Sequence, residues 1–598
     1  MQSLSYISAY MHRKPRAPKG MRPFSINLVT NFTDEVLERV LGGMCLAEGI
    51  YPQITRTPYK QYALAFKNKK SEINTSKPDI SYIFFDASPY AQSEFLSSGH
   101  RKEVLADIER YAKFAGTVVV GLFALPYHGP YGEHFTKEPL FVALSDFNTK
   151  LQALAKKNSS IHIFDTNKAF ARVGELRARD LRGHHAFDMP FTTDFLIALA
   201  SSWLTYARAI LGLSRKCIVL DLDNTLWGGI VGEDGALGVL LGPEYPGLAY
   251  QNFQRALLSM WERGVILAIN SKNNEADVDE VFEKNPHMIL KKEHIAAMRV
   301  NWDDKSKNSK EIAQELNIGM GSMVFIDDSP LERERMREEA PEILTPEWSF
   351  EPEQYVKELF SLGVFHQMSL TSEDKKKGQM YVEESKRKKV RATSRNVKEY
   401  IKKLNIKMQV REGKAIDIAR VAQLTQKTNQ FNLTTKRYQE ADISRMIKKG
   451  DLVITGDVGD TFGGYGVVIL GIVKIEKKQA TLDTFLMSCR VMGRGVEEAF
   501  FEHIIKQLHT RGVERLKASF IPTPKNKPAS KFLSTFGIKS ASPVALGSLQ
   551  SLTCPRSASW THSHRRTLQL GTRSMRLFYL LKLRRRLTSN SPSMKRWR

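Results

Sequence analysis

Two aspartates separated by one residue follow a short apolar run near the middle of the chain. Residues 217–220 are apolar, and Asp221 and Asp223 come directly after them. Alternate residues of a strand share a face, so the two carboxylates emerge on the same side where the strand ends. Such carboxylates repel each other unless a hard cation such as Mg²⁺ lies between them. One is then suited to attack phosphorus and the other to transfer a proton, although the pair alone is equally typical of a solvated acidic turn.

Two later apolar runs, residues 265–269 and 323–326, also end in polar residues. Those residues, with one basic residue upstream of the second run, are Ser271, Asp327, Asp328 and Lys305. Parallel strands bring their carboxyl ends to one edge of an open sheet, where ligands bind. Phosphoryl transfer needs a nucleophile in line with phosphorus and positive charge around the phosphoryl oxygens. The set therefore predicts a Mg²⁺-dependent phosphoryl-transfer site, which none of its members would indicate alone.

Each residue of this set receives a predicted role. Asp221 is the nucleophile that forms an aspartyl phosphate, and Asp223 is the general acid and then the base. Ser271 and Lys305 bind phosphoryl oxygens as hydroxyl donor and cation. The predicted metal ligands are Asp221, Asp327 and the backbone carbonyl of Asp223, with Asp328 as a further candidate.

The elements that must position these residues form a multi-domain α/β chain. Residues 211–370 alternate apolar strands with helical patterns, which predicts a parallel sheet. Residues 1–210 alternate in the same way, with strand-like runs at 27–32, 81–86, 117–123 and 161–165. This first region has no nucleophile elbow, and a histidine pair in a loop is more typical of a surface than of a catalytic site. Its candidate site residues are Asn31, Asp86, Asp180, His184 and His185.

The C-terminal third changes character. Residues 371–403 are rich in charge and predict a solvated helical linker. Residues 404–540 predict an α+β domain, in which strands 452–458, 465–475 and 480–488 precede a glycine-containing loop and a helix over 496–510. The loop contains Arg490, Gly493, Arg494 and Gly495, and its backbone N–H groups at a helix N-terminus suit a pyrophosphate.

Composition excludes several other classes of protein. The formal net charge is +25, but 13 Lys and Arg lie in residues 539–598, and no Asp or Glu follows Glu514. This tail, residues 541–598, is interpreted as disordered or aberrant rather than as a basic binding tail, so nucleic-acid binding is not favoured. We find no membrane-length apolar run and no signal peptide, and the four cysteines are scattered. A cytoplasmic protein is expected.

The motifs resemble those of the haloacid dehalogenase (HAD) superfamily. The acid pairs, Ser271 and Lys305 are similar to its four motifs. The strings DLDNTLWGGIVGEDG from Asp221, NSKNN from Asn270, NWDDKSKN from Asn301 and MVFIDDSPLERE from Met323 resemble the FkbH-like branch, subfamily IIIC. The resemblance implies an SGNH-hydrolase-like N-terminal region, a Rossmann-like HAD domain with a minimal cap and a C-terminal acetyltransferase-like (GNAT) domain. In the last of these, Asn526 joins the loop residues as a cofactor-binding candidate.

The resemblance also implies an activity. FkbH-like proteins process 1,3-bisphosphoglycerate and load its glyceryl group onto the phosphopantetheine thiol of an acyl carrier protein, in polyketide or related biosynthesis. The implied cofactors are Mg²⁺ and acetyl-CoA or phosphopantetheine. Asn270 stands where the loading members have a cysteine, and an amide cannot form a thioester. Two alternatives stay open: a simple HAD phosphatase fused to an acetyltransferase-like domain, in surface polysaccharide or secondary metabolism, and a non-catalytic carrier-protein docking module.

Overall fold

The computed structural model describes most of the chain between residues 23 and 569. The described residues are 23–87, 94–125, 130–368, 380, 383, 387, 390, 391, 393–413, 416–523, 526–536, 539, 540, 549–553 and 567–569. They divide into two units. The first comprises residues 1–212, 366–368 and 439–441, and the second comprises residues 213–365, 369–438 and 442–598.

The first unit is built on a parallel sheet of five strands in the order β2-β1-β3-β4-β5. The strands are β1 (Pro23–Thr30), β2 (Tyr51–Arg56), β3 (Ile80–Phe84), β4 (Val118–Gly121) and β5 (Ile161–Phe164). The helices are α1 (Glu35–Ala47), α2 (Tyr62–Lys67), α3 (Glu72–Thr75), α4 (Ser98–Ala115), α5 (Pro139–Lys157), α6 (Asn167–Val173), α7 (Glu175–Ala178), α8 (Leu181–Phe187) and α9 (Thr193–Leu211).

The four strands that the sequence predicts in this unit are confirmed, and β2 was missed. The burial of β3 explains the success, because all five of its residues are buried and four of them are apolar or aromatic. The edge strand β2 has one buried residue and reads as polar and mixed, which hides it from a search for apolar runs. An α/β unit with a parallel sheet is therefore present, as the alternation of strands and helices predicts.

Helix α9 corrects one expectation about apolar runs. Among the described residues it is the one helix long and apolar enough to cross a membrane, by length and composition. Leu199, Ala200 and Trp203 of this helix pack into the core of the first unit, and the Trp203 ring stacks on Tyr82. A core helix of a globular domain passes the same test, so the finding is weak evidence for a membrane span.

The second unit begins with a parallel sheet of four strands in the order β8-β7-β6-β9. The strands are β6 (Cys217–Leu220), β7 (Ile266–Ser271), β8 (Ile295–Val300) and β9 (Met323–Ile326). The helices are α10 (Val231–Gly238), α11 (Gly247–Glu262), α12 (Glu275–Lys284), α13 (Lys305–Leu316), α14 (Pro330–Glu339) and α15 (Tyr355–Ser361). Strands β6 and β9 are wholly buried, which fixes the two acidic tips of the sheet. Between Ser271 and Lys305 the chain forms α12, a short 3-10 helix (Lys292–His294), β8 and their connections.

The rest of the second unit is a largely antiparallel sheet with helices. Its described strands are β10 (Lys407–Glu412), β11 (Phe431–Asn432), β12 (Leu452–Asp460), β13 (Gly463–Glu476), β14 (Gln479–Met487), β15 (Arg515–Ser519), β16 (Lys539–Ser540), β17 (Leu549–Thr553) and β18 (Thr567–Gln569). The helices are α16 (Val397–Leu404), α17 (Ile418–Lys427), α18 (Glu440–Lys449), α19 (Val496–Thr510) and α20 (Phe532–Thr535). The predicted α+β character is present, with β14 and β15 parallel and the other pairs antiparallel.

Two interpretations of the C-terminal third differ from the structure. Strands β17 and β18 come from residues 541–598, for which we predicted no regular structure, and they pair with β15 and β10. The other tail residues lie outside the described ones. The solvated-linker interpretation of 371–403 is wrong for Arg387, whose fully buried guanidinium makes two contacts with the Asp460 carboxylate, at 2.8 and 2.9 Å. A run of charges does not reveal a partner 73 residues away.

Candidate functional site

The acidic tips of β6 and β9 lie side by side. Leu220 and Ile326 are register partners in these parallel strands, and the backbone N–H of Asp221 donates to the carbonyl of Ile326 over 3.0 Å. The next residues along the two strands, Asp221 and Asp327, therefore emerge at the same edge. The pairing follows from two apolar runs of equal length that each end in an aspartate.

Three carboxylates converge at this edge. One oxygen from each of Asp221, Asp327 and Asp328 lies within 4.8 Å of the others. Asp327 is fully buried, and Asp221 is 7% exposed. The buried Oδ1 of Asp221 has no hydrogen-bond partner among the residues that the structure describes. Three neighbouring carboxylates, one of which has a buried oxygen without a hydrogen-bond partner, can supply the oxygen ligands that a hard divalent cation such as Mg²⁺ prefers.

A buried lysine offsets part of this negative charge. Lys305 begins α13, and its Nζ lies 3.0 Å from Oδ2 of Asp221 and 2.7 Å from Oδ2 of Asp327. Burial alone would lower the pKa of Lys305, but the two carboxylates raise it, so the ammonium stays charged. Burial and the Asp221 charge raise the pKa of Asp327, and they raise the pKa of Asp328 to about 6. The ammonium of Lys305 thus contacts two of the three acids, and the charge of the buried Arg333 guanidinium opposes the rise in the pKa of Asp328.

The carboxylate of Asp223 is held apart from the other three. Its Oδ1 accepts from Nε1 of Trp227 at 2.8 Å and from the backbone N–H of Val231 at 3.2 Å. Its Oδ2 accepts from Nδ2 of Asn273 at 3.1 Å. Burial raises the pKa of Asp223 in spite of these donors, which favours the protonated form that a general acid requires. The side chain is not part of the acid cluster, in keeping with a predicted metal contact through its backbone carbonyl only.

Ser271 is the last residue of β7 and is buried. Its Oγ accepts from Nδ2 of Asn273, the same amide that holds Asp223. One side chain therefore orients both the predicted hydroxyl donor and the predicted general acid. Sequence reasoning overlooked Asn273, although its position two residues after the strand end is the available signal.

Arg333 is a second residue that sequence reasoning missed. Its guanidinium is buried and donates to the carbonyl of Asp327 at 2.8 Å and to that of Asp328 at 2.7 Å. These bonds fix the backbone on which the two acids stand. The surrounding run of alternating acids and bases in α14 looks like a solvated helix, so no local pattern singles this arginine out.

The glycine-containing loop of the C-terminal domain lies before α19, as predicted. Gly493 and Gly495 both have positive φ, at 71° and 80°, which glycine adopts without strain. The Arg494 guanidinium donates to the Tyr465 hydroxyl and lies 5.2 Å from the centre of that ring. Nε of Arg490 donates to Oγ of Ser488 at 3.3 Å.

Two polar groups predicted to bind a cofactor in this domain are engaged inside it. The N–H of Gly493 donates to Oε1 of Glu497 at 3.2 Å, so a carboxylate occupies the place of a ligand oxygen. The fully buried amide of Asn526 donates to the carbonyls of Asn432 and Ile521, at 2.9 and 2.8 Å. The arrangement does not present these two groups to a pyrophosphate.

Most of the N-terminal candidate residues are already paired, but the buried Nδ1 of His184 has no hydrogen-bond partner among the described residues. Asn31 exchanges two hydrogen bonds with the backbone of Asp86, at 2.8 and 2.9 Å. The Asp86 carboxylate makes contacts of 3.2 Å with both terminal nitrogens of Arg179. The remaining candidates have separate places: Asp180 caps α8 through the N–H of Gly183, Nδ1 of His184 lies 3.5 Å from Oδ1 of Asp188, and His185 is exposed.

Comparisons with known proteins add one informative likeness. No protein-family model and no curated protein sequence matches the chain. Among solved structures, the N-terminal part of protein BF1531 from Bacteroides fragilis, which contains a phosphatase domain complexed with Mg, is 26% identical. The match has a TM-score of 0.57 and covers 61% of this chain and 99% of that one.

A second group of matches falls on acetyltransferases. The ribosomal-protein-S18-alanine N-acetyltransferase from Escherichia coli is 15% identical, with a TM-score of 0.21, and the match covers 26% of this chain and 99% of that one. A TM-score this low carries no argument about the C-terminal domain. The chain is therefore a multi-domain α/β protein with a phosphatase-like domain, similar over three fifths of its length to a protein whose phosphatase domain binds Mg.

Proposed function

We propose that the chain is a Mg²⁺-dependent phosphatase or phosphotransferase that works through an aspartyl phosphate on Asp221. The observation that carries the proposal is the unpartnered, buried Oδ1 of Asp221 inside a cluster of three carboxylates and one lysine. The likeness to a magnesium-bound phosphatase domain supports it. The carboxylates of Asp221, Asp327 and Asp328 would hold the cation, which when bound neutralises charge on the phosphoryl oxygens.

The chemistry of the chain's own residues follows from their positions. A carboxylate oxygen of Asp221 attacks phosphorus, and the bond from phosphorus to the leaving oxygen breaks. Asp223 donates a proton to a leaving alkoxide, whereas a carboxylate leaving group from an acyl phosphate needs none. The Asp223 carboxylate, ionised by that donation or already ionised when the leaving group is a carboxylate, then takes a proton from the water that attacks the aspartyl phosphate, which releases inorganic phosphate and restores Asp221. Ser271 and Lys305 bind the phosphoryl oxygens in both steps.

The finer proposal concerns the substrate. We propose an acyl phosphate such as 1,3-bisphosphoglycerate, with delivery of the glyceryl group to an acyl carrier protein in polyketide or related biosynthesis. In that reaction the carrier thiol attacks the acyl carbon and expels inorganic phosphate, and Asp221 takes the phosphoryl group from the ester at the other end of the substrate. The FkbH-like motif strings support it, as does the absence of an inserted cap between Ser271 and Lys305, which leaves room for a carrier arm. The presence of Asn270 in place of the loading cysteine favours direct transfer to the carrier thiol or plain hydrolysis.

The other domains enter the proposal through the same resemblance. We propose an SGNH-like N-terminal domain, a GNAT-like C-terminal domain that docks the carrier or binds acetyl-CoA, and a cytoplasmic location without a membrane or nucleic-acid partner. The alternatives are a phosphatase fused to an acetyltransferase-like domain, or a docking module without catalysis. The intact acid set argues against the docking module, because a non-catalytic domain has no need of a buried, uncompensated oxygen.

The test begins with the full chain and acetyl phosphate or an aryl phosphate, with and without Mg²⁺. Phosphate release that requires Mg²⁺ supports the enzyme, and no release from any phosphate ester or acyl phosphate overturns it. A candidate carrier protein incubated with enzyme, Mg²⁺ and 1,3-bisphosphoglycerate is then weighed by mass spectrometry. A glyceryl adduct indicates transfer, and free glycerate products without an adduct indicate hydrolysis.

A further inference from the structure

The buried amide of Asn270 is fully used in hydrogen bonds to the helix that carries Lys305. Its Nδ2 donates to the carbonyl of Lys305 at 2.7 Å and to Oγ of Ser309 at 3.0 Å. Its Oδ1 accepts from Nδ2 of Asn308 at 3.2 Å. The side chain therefore holds three residues of the first two turns of α13 from the end of β7.

This network extends to the neighbouring strand. Asn308 also donates to Oδ1 of Asn301 at 2.8 Å, and the N–H of Asn301 donates to the carbonyl of Ser271 at 3.1 Å. The asparagines Asn270, Asn301 and Asn308 thus join the ends of β7 and β8 to α13. All these groups lie in a buried region, where a satisfied polar network holds one arrangement and a broken one is costly.

We propose that Asn270 is the positioning residue that sets Lys305 between Asp221 and Asp327. The amide acts on the backbone of Lys305 itself, and the ammonium of that residue touches both carboxylates. Asn270 contacts none of the acids in any recorded hydrogen bond, so it acts through the lysine. This inference rests on the proposed function. The absence of a cysteine at position 270 shows only which chemistry is missing there, whereas the hydrogen bonds of Asn270 indicate what this residue does.

The proposal explains why an amide is needed. Cysteine or alanine at position 270 would remove the side-chain bonds to the Lys305 carbonyl, Ser309 and Asn308, and aspartate would place an acceptor against a carbonyl. Misplacing a catalytic group by about 1 Å costs about 100-fold in rate. We therefore expect Asn270→Ala to lower kcat for acetyl phosphate about 10- to 100-fold, with KM changed by less than about threefold.

A matched control is Asn285, another buried asparagine of the same domain. Its amide donates to the carbonyl of Ala236 at 2.9 Å, and its Oδ1 accepts from the N–H of His287 at 3.0 Å. Asn285→Ala should lower thermal stability to a similar extent and leave kcat within about twofold of the wild type. A milder variant, Asn308→Ala, keeps Asn270 and removes one of its three bonds, so an intermediate kcat is expected.

A second measurement does not depend on activity. The full chain and each variant are treated with acetic anhydride, and acetylation of Lys305 is quantified by mass spectrometry against Lys307, which is 61% exposed. Lys305 should be protected in the wild type and in Asn285→Ala, and several-fold more reactive in Asn270→Ala. Equal reactivity of Lys305 in wild type and Asn270→Ala overturns the inference, whether or not the wild type releases phosphate. Wild-type inactivity together with the expected labelling pattern contradicts the proposed function only.

Discussion

The carboxyl edges of the two parallel sheets carry acids in different states. In the first unit, Asp86 at the end of β3 meets both terminal nitrogens of Arg179, so both of its carboxylate oxygens have a hydrogen-bond partner. In the second unit, Asp221 and Asp327 share the ammonium of Lys305, and Asp328 lies beside them. Both edges are partly buried and both were flagged by the same strand-end pattern.

The difference shows that the partners of the carboxylate oxygens, rather than the presence of acids, separate a cation site from a structural cluster. An acid with a bidentate arginine has no need of a further cation. Three acids with one lysine leave a buried oxygen of Asp221 without a partner among the described residues. The sequence indicates candidate residues at both edges. The hydrogen-bond partners of their carboxylate oxygens distinguish the two.

The strongest way to break the comparison is Asp221→Asn. The amide cannot attack phosphorus, so kcat for phosphate release should fall about 1,000-fold or more while the protein stays folded. Phosphate release from acetyl phosphate and circular dichroism measure the two effects. Asp86→Asn is the matched change at the other edge and should leave kcat unaltered. Undiminished turnover in Asp221→Asn would refute the nucleophile assignment.

Asp327→Asn should act on the cation. Removal of one of three carboxylates weakens Mg²⁺ binding, and the Mg²⁺ concentration for half-maximal activity should rise at least about tenfold. A Mg²⁺ titration of phosphate release measures this shift. Treatment of the wild type with EDTA should abolish the activity, and added Mg²⁺ should restore it. Activity that survives EDTA would contradict a metal-dependent site.

At the carboxyl edge of the first unit's sheet, which carries Asp86, the expected effect is on stability. Arg179→Met leaves the Asp86 carboxylate buried and unpaired, which should lower the free energy of unfolding of the first unit by about 3 kcal/mol. Differential scanning calorimetry tests this expectation, because the midpoint of the unfolding transition of the first unit should fall. Combining Arg179→Met with Asp86→Asn should recover part of the loss. No change in any transition would show that the pair is not stabilising.

The smallest expected effect concerns a buried acid of the C-terminal sheet. Burial alone would raise the pKa of Asp483, but hydrogen bonds from Lys436, Tyr438 and Lys474 hold it near 2. A depressed pKa contributes stability above the unfolded value of 3.8 and loses it as the pH falls towards about 2. Both lysines are almost half exposed, so screening limits the contribution to about 1 kcal/mol.

This last prediction is checked by urea unfolding of wild type and Asp483→Asn. The difference in free energy of unfolding should be constant above pH about 5 and should shrink between pH about 4 and about 2. A difference that grows on acidification would reverse the assigned sign.

Much of the central site could be predicted from the sequence because its residues follow buried strands. The runs 217–220 and 323–326 are short, apolar and end in aspartates, so periodicity alone brings Asp221 and Asp327 to one edge. The helix over 496–510 was predicted to the residue for a similar reason, since a glycine precedes it and its apolar positions recur.

The missed residues are those whose buried contacts no local sequence pattern indicates. Arg333 and Arg387 each sit in a run of charges, and only the folded chain shows that their guanidiniums are buried. Asn273 and Asn270 are polar residues at a strand end, where local patterns cannot tell a solvated turn from a network. The strand β2 lacks an apolar run because it lies at the edge of its sheet.

The burial of Arg387 against Asp460 has a practical consequence for dissecting the molecule. The guanidinium also lies 4.2 Å from the centre of the Tyr465 ring, and the Tyr465 hydroxyl donates to the same carboxylate at 2.6 Å. A fragment that starts at residue 404 would lack this arginine, so the buried carboxylate of Asp460 would lose its charged partner. Expression of the C-terminal portion on its own should therefore begin upstream of residue 380, and limited proteolysis within 393–403 should release a less soluble piece.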